Sequence, residues 1–275
     1  GMRKWYIRAY DKDGDVIESG SVTFSSTNPK TATITLKKSG FALGSSSSSN
    51  DGLLISNLTD QDIYGMFVID PDDKIKDSWD YDDFNDEYDD IGDLDKGEYD
   101  LFDLDLYGSK DNELTLVVFT SKKNFVKKDI TFNKNISDIG VICITSLSSS
   151  SMSVKTYDDG ADDLDDDQIV FTVYNADSKY KLRNVYVRDA EDGDADKDDT
   201  VNKFDGKKIW SSTDLSSGTG TVALFDYDEW KNDGYYDFLF EYDDYCVTVD
   251  NEDLSDYSYF VQFEVDHSSA DVDGK

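Results

Sequence analysis

Residues 114–144 read LTLVVFTSKKNFVKKDITFNKNISDIGVICI. Residues 6–36 read YIRAYDKDGDVIESGSVTFSSTNPKTATITL and align with them, ungapped, over 31 positions. Ile17 falls on Phe125, Val22-Thr23-Phe24 on Ile130-Thr131-Phe132, and Ile34 on Ile142. Each block reads strand, turn, strand, loop, strand, with Asp13-Gly14 as the hairpin turn signal of the first. A third, gapped copy runs from Tyr236 to Phe263.

Working outward, a second block occurs twice, each time upstream of the first. Ile55-Ser56-Asn57 is followed by Ile63 and Phe67-Val68-Ile69; Val173-Tyr174-Asn175 is followed by Leu182 and Tyr186-Val187. Downstream, Asp93-Leu94 with Gly97 matches Asp214-Leu215 with Gly218, and Trp79 and Trp210 lie between these landmarks. Serine tracts at 45–50 and 146–153 read as flexible linkers. The order predicts a half repeat of about three strands (1–40), a full repeat (51–145) and a second full repeat (166–265). Each full repeat has about seven short strands between turn signals, which predicts an all-β chain of tandem antiparallel β-sandwiches, immunoglobulin-like or transthyretin-like. Three strands cannot bury a face alone. The half repeat is therefore expected to pack on a neighbour, within the chain or through self-association, burying Trp5, Ile7, Ile17, Val22, Phe24 and Ile34.

Composition agrees. The 275 residues include 61 acids against 27 Lys+Arg, a net charge of -34. Of the acids, 52 are Asp and 9 are Glu, and Asp favours turns over helices. Aromatic residues make up 13% and apolar ones 37%, enough for cores. Nucleic acid is excluded as a partner by like charge, and no apolar run reaches the length of a membrane span. Gly1-Met2 reads as a tag scar and a start, and the strand-like Arg3–Tyr10 follows in place of a signal peptide. Cys143 and Cys246 sit in apparent strands of different halves and read as two buried thiols, without a disulfide framework.

The landmarks Asn57, Thr59, Ile63, Trp79, Leu94 and Gly97 form one set. Asn175, Leu182, Tyr186, Trp210, Leu215, Gly218 and Tyr236-Asp237 form a second, and Tyr6-Ile7 with Asp11, Asp13 and Gly14 a third. Together they resemble a bacterial β-sandwich repeat of secreted and surface proteins, whose pattern runs Asn-x-Thr-Gly, Ile, Tyr, Trp, Asp-Leu-x-x-Gly, Tyr-Asp-Ile and Asp-x-Asp-Gly. The chain departs from it at Lys122-Lys123, where the Asp-Gly turn belongs, and in the missing glycine of the second repeat. The resemblance implies a sandwich fold and an extracytoplasmic setting. The strand order of the C-terminal half is also similar to the transthyretin-like regulatory domains of carboxypeptidases.

Chemistry-bearing motifs are sparse. His267, the one histidine, lies in a polar tail beside Ser268 and Ser269, which argues against a histidine-based triad. Zinc is disfavoured by one His and two separated Cys, and no nucleophile elbow, P-loop or dinucleotide fingerprint occurs. The expectation is a non-catalytic binding, adhesion or structural module with a protein or glycan ligand and no cofactor. The alternative is a calcium-dependent carbohydrate-binding or accessory domain of a carbohydrate-active enzyme. Acid is densest at 70–93, with 12 acids and 2 lysines, and at 189–199, with 7 acids and 1 lysine. Both segments fall before the Leu-x-x-Gly landmark and are expected at the same end of each sandwich. If they hold calcium, which takes several oxygen ligands from flexible loops, Asp82, Asp83, Asp86 and Glu87, or Asp192, Asp194 and Asp196, supply them. Solvated, mutually repelling loops are the competing expectation. Trp79 and Trp210 are expected in matching buried positions, while Trp230, outside the repeat pattern, is the candidate for stacking on a ligand.

Overall fold

The computed structural model describes residues 3–10, 16–24, 42–43, 52–102, 104–105, 113–132, 139–158, 168–190, 201–226, 235–254, 259–267 and 269–274. The chain forms two compact units. One comprises Gly1–Ser56, Gln61–Asp95 and Tyr99–Ala161; the other comprises Asp162–Lys275 with the turns Asn57–Asp60 and Lys96–Glu98.

At the N-terminus, β1 (Arg3–Tyr10) and β2 (Val16–Phe24) pair antiparallel. Among the described residues they make a two-stranded sheet of their own. Asp13-Gly14 and the third expected strand, around Ile34, lie outside the described residues. A two-residue strand, β3 (Ala42–Leu43), follows.

The first sandwich starts with β4 (Gly52–Asn57) and β5 (Ile63–Ile69). A helix, α1 (Tyr81–Glu87), then precedes β6 (Gly92–Leu94) and β7 (Tyr99–Phe102). Next come β8 (Leu104–Asp105), which pairs with β3, then β9 (Glu113–Ser121), β10 (Asn124–Thr131), β11 (Ile139–Leu147) and β12 (Met152–Asp158). The facing sheets have orders β10-β9-β5-β6 and β12-β11-β4-β7. The alternation of β9 shows why: Leu114, Leu116 and Val118 enter the core with Leu53, Ile55 and Ile142, while Val117 and Phe119 point outward. Lys122-Lys123 makes the two-residue turn between β9 and β10.

The second sandwich has β13 (Gln168–Asn175), β14 (Leu182–Asp189), the short helix α2 (Val201–Phe204), β15 (Lys207–Leu215) and β16 (Thr219–Asp226). It ends with β17 (Tyr235–Tyr242), β18 (Cys246–Asp253), β19 (Phe260–Val265) and β20 (Ala270–Gly274). Its sheets are β15-β14-β17-β18 and β16-β13-β19-β20. Tyr236, Phe238, Phe240 and Tyr242 fill the core from alternate positions of β17, against Phe171 and Phe263.

Leaving out β8, and lettering the eight strands of each sandwich A to H, both have sheets C-B-E-F and D-A-G-H. That is not the immunoglobulin arrangement of ABED against CFG. Of the two sandwich types open to the sequence, it leaves the transthyretin-like one.

Two expectations are corrected. The serine tract 146–153 is not a linker: β11 and β12 pair through it, Ser148 N donating to Ser151 O at 2.9 Å across the turn. Each sandwich therefore gains an eighth strand, and the first extends to Asp158. The tract 45–50 lies outside the described residues. Nor do the tryptophans match. Trp79 precedes α1 and packs half-buried on the outer face of its sheet, whereas Trp210 lies in β15, opposite Val185, against the interior core. They share an order in the chain but not a place in the fold, because the segments that carry them differ in length.

The landmarks Asn57 and Asn175 do share one local geometry. Each carbonyl accepts from a glycine amide at 2.8 Å, Gly97 and Gly218. Those glycines have φ of 78° and 70°, the left-handed region that costs glycine nothing. Each Asn Oδ1 accepts the amide two residues on, Thr59 or Asp177, at 3.2 Å.

Candidate functional site

The acidic segments fall in the equivalent connections β5 to β6 and β14 to β15, and in each connection a short helix, α1 or α2, packs on the outer face of the sheet that holds those strands. In the first sandwich, α1 begins with a reciprocal cap: Asp80 accepts from Asp82 N and Asp83 N, and Asp83 accepts from Asp80 N. Tyr81 N is anchored to Lys122 O at 2.9 Å. The helix buries one ring completely, Phe84, with centroids 5.4 Å from Phe67, 5.2 Å from Phe119 and 5.0 Å from Phe125. Trp79 meets Phe84 edge-on at 5.3 Å, and the Lys76 ammonium lies 5.3 Å from the Trp79 ring.

Beside this cluster stands the most exposed large ring described. Tyr64 is 49% exposed, at an irregularity in β5 between Ile63 and Met66. Tyr81 braces it edge-on, with centroids 5.0 Å apart. Tyr81 can lie there only because Gly65 has no side chain; a Cβ would sit 2.5 Å from the ring. The Tyr81 hydroxyl donates to Asp90, whose other oxygen accepts from Met66 N at 3.2 Å and Gly92 N at 3.1 Å. Burial, then the hydrogen bond to Asp90 and its charge, push the Tyr81 hydroxyl well above the usual phenol range. Lys122 lies near Tyr64 and pairs with Asp82 at 2.6 Å, both ends being exposed.

In the second sandwich α2 buries Phe204 on Tyr186 and Leu239. Here an ion pair holds the segment. Arg188 Nε donates to Asp237 Oδ2 at 2.9 Å, Asp237 being fully buried, and Arg188 Nη1 donates to Phe204 O at 3.0 Å. The guanidinium lies 4.6 Å from the Phe204 ring. Glu241 accepts from Asn184 and, at 3.1 Å, from the Tyr186 hydroxyl. Burial and then Glu241 push the Tyr186 hydroxyl up to about 12.

A third cluster ties three turns together at one end of the second sandwich. Asp177, 2% exposed, accepts from Lys179 N and Tyr180 N at 2.7 Å and from the Tyr245 hydroxyl at 3.0 Å; His267 Nδ1 is 3.3 Å away. Burial raises its pKa, but these amides, the Tyr245 hydroxyl and His267 outweigh that and hold it below the usual carboxylate range. Tyr245 stacks on Tyr242 at 4.6 Å.

No family model and no curated protein matches the chain. Among solved structures it is similar to one described as alpha-glucan recognition by family 41 carbohydrate-binding modules from streptococcal virulence factors. The identity is 13%, covering 80% of this chain and 96% of that one, with a TM-score of 0.24.

Of the residues expected to ligate calcium, Asp82 is paired with Lys122 and Asp83 caps α1; Asp86 and Glu87 are exposed in its last turns. Among the described residues no three His, Cys, Asp or Glu side chains group as cation ligands would. Asp192, Asp194, Asp196 and the stacking candidate Trp230 lie outside the described residues. Sequence reasoning missed Tyr64, Tyr81 and Asp90. The signal available was Tyr64-Gly65, an aromatic beside the residue that lets a second ring approach. No described helix is long and apolar enough to cross a membrane.

Proposed function

We propose that the chain is a non-catalytic binding or adhesion module, and that Tyr64 on the first sandwich is a contact residue for its ligand. The observation that carries this is a large ring left 49% exposed although its surroundings are built with care. Tyr81, Gly65 and Asp90 fix the ring beneath it, so a ligand meets a surface that is already ordered, and little entropy is lost on binding. A flat ring face with Lys122 and Asp82 nearby offers apolar contact and hydroxyl recognition together. That is the chemistry of a sugar face, which makes a glycan the first ligand class to test.

The experiment is a glycan array with the full chain and its Tyr64→Ala variant, followed by calorimetry on any hit. The expected result is a hit whose affinity falls at least about tenfold in Tyr64→Ala, the 1.4 kcal/mol scale of a lost stacking contact, with an unchanged melting temperature. A hit that Tyr64→Ala binds equally well removes Tyr64 from the site. Retained binding in the presence of EDTA separates this reading from a calcium-dependent one.

A further inference from the structure

We propose that the second sandwich is a force-bearing module whose clamp is the seam between β13 and β19. This goes beyond the binding reading and does not rest on it. The described strand pairs of this sandwich are antiparallel except one: β13 and β19 run parallel, from Val170 opposite Phe260 to Asn175 opposite Val265. In a parallel pair, the start of one strand and the end of the other lie at opposite ends of the seam. Tension entering at Gln168 and leaving at Val265 therefore slides the strands past each other, and every rung must give way together. In an antiparallel pair held at adjacent ends, such as Gln168 and Asp226 of β13 and β16, the rungs open one after another.

The seam is built for that load. Val170 N donates to Tyr259 O and Ala176 N to Val265 O, each at 2.9 Å, extending the ladder at both ends. Thr172 Oγ1 adds a side-chain tie, 3.1 Å from Val261 O and 3.3 Å from Gln262 Oε1. Val170, Phe171, Thr172, Val173, Phe260 and Val261 are at most 2% exposed, so water cannot replace the broken bonds one at a time. Both strands are central in their sheet, flanked by β16 and β20. The outermost, β20, pairs antiparallel with β19, Gly274 lying opposite Val261. Tension applied beyond Gly274 peels β20 first and only then loads the clamp.

Forced unfolding reads the unfolding barrier along the pulled direction, so one protein pulled along two axes isolates the geometry from overall stability. The full chain would carry site-specific handles at Gln168 and Ser269 in one preparation and at Gln168 and Asp226 in another, in optical-tweezers stretching. The expected unfolding force is several-fold higher on the first axis, at equal melting temperatures. Equal forces on the two axes, or a lower force on the first, overturn the proposal.

Discussion

The outer faces of the β10-β9-β5-β6 and β15-β14-β17-β18 sheets pose one problem and solve it differently. On each, a short helix in the connection to the next strand buries a phenylalanine, Phe84 or Phe204. In the first sandwich the phenylalanine joins a field of rings, Phe67, Phe119, Phe125, Trp79 and Tyr81, and dispersion and apolar burial hold the segment. In the second, the ring is pinned by a guanidinium that also reaches a buried carboxylate. What surrounds the anchor decides how the segment responds to mutation and to pH.

The widest test of that contrast is removal of each anchor's support. Phe84→Ala should cost the first sandwich about 3–5 kcal/mol through lost transfer energy and a cavity. Asp237→Ala should cost the second about 3–5 kcal/mol, because it strands Arg188 among apolar neighbours. Rescue separates the two. The double variant Arg188→Met, Asp237→Leu removes both charges and should recover most of the loss, since a buried pair is often matched by apolar residues of similar volume. Urea melts of the three variants check this. A double variant as unstable as Asp237→Ala would mean that the pair holds α2 through geometry that packing cannot replace.

A smaller effect is expected at the paired turns after β4 and β13. In the first turn the residue equivalent to Asp177 is the neutral Thr59, whose Oγ1 donates to Asn57 Oδ1 at 2.7 Å, whereas Asp177 makes the second a charged hub. The Asp177 pKa is depressed in the folded state, so its stabilisation is present above the unfolded value near 4 and is lost as pH falls through the folded one. Asp177→Asn should cost about 1.5–3 kcal/mol at pH 7, the scale of hydrogen bonds to a charged group. It should also flatten the acid-side fall in stability of the second sandwich alone. Melting curves from pH 7 to pH 2 test it; an unchanged acid limb would remove Asp177 as its cause.

These contrasts show what could be read from the sequence. Strand existence and the sandwich class were legible, because short runs rich in apolar and aromatic residues between turn signals, such as Leu114–Phe119 and Tyr236–Phe240, are a local signal. The landmark asparagines and glycines were legible as positions but not as a hydrogen-bonded turn. The serines between β11 and β12 misled because a tight hairpin and a linker draw on the same small polar residues. Phe84 stands isolated among acids and Phe204 in the polar run Asn202-Lys203-Phe204-Asp205-Gly206-Lys207, and a single apolar residue has no period to reveal it. Arg188 and Asp237 meet from positions 49 residues apart, which no spacing rule connects.

Gly65 sharpens the ring-based half of the contrast. Gly65→Ala places a methyl where the Tyr81 ring now lies, and should cost about 1–3 kcal/mol by overpacking. It should also turn Tyr81 away from Asp90, so the Tyr81 phenol regains an ordinary titration. In the wild type that pKa is raised, so its contribution is full below pH 10, the usual phenol value, and is lost as pH rises through the folded one. Spectrophotometric titration should show one more tyrosine ionising near pH 10 in the variant. The same count in both proteins would mean that Tyr81 holds its place without the glycine.

The smallest effect belongs to the exposed carboxylates of α1. Asp82 and Lys122 have side chains 63% and 53% exposed, and such a pair contributes about 0–1 kcal/mol and weakens with salt. Asp82→Asn should therefore leave the melting temperature almost unchanged. Calcium would reverse that ranking. If Asp82, Asp83, Asp86 and Glu87 held a cation, the folded state would gain stability by mass action. The gain would saturate, prefer calcium to magnesium, and vanish in Asp82→Asn. The expectation is instead that calcium, magnesium and sodium raise the melting temperature equally at fixed ionic strength, by screening alone. Asp82 already spends an oxygen on Lys122, and Asp83 spends one on the backbone of Asp80. A calcium-specific, saturable rise would show that α1 gives up both contacts to take the ion, and would make the first acidic segment a regulated element where the ring cluster makes it a fixed one.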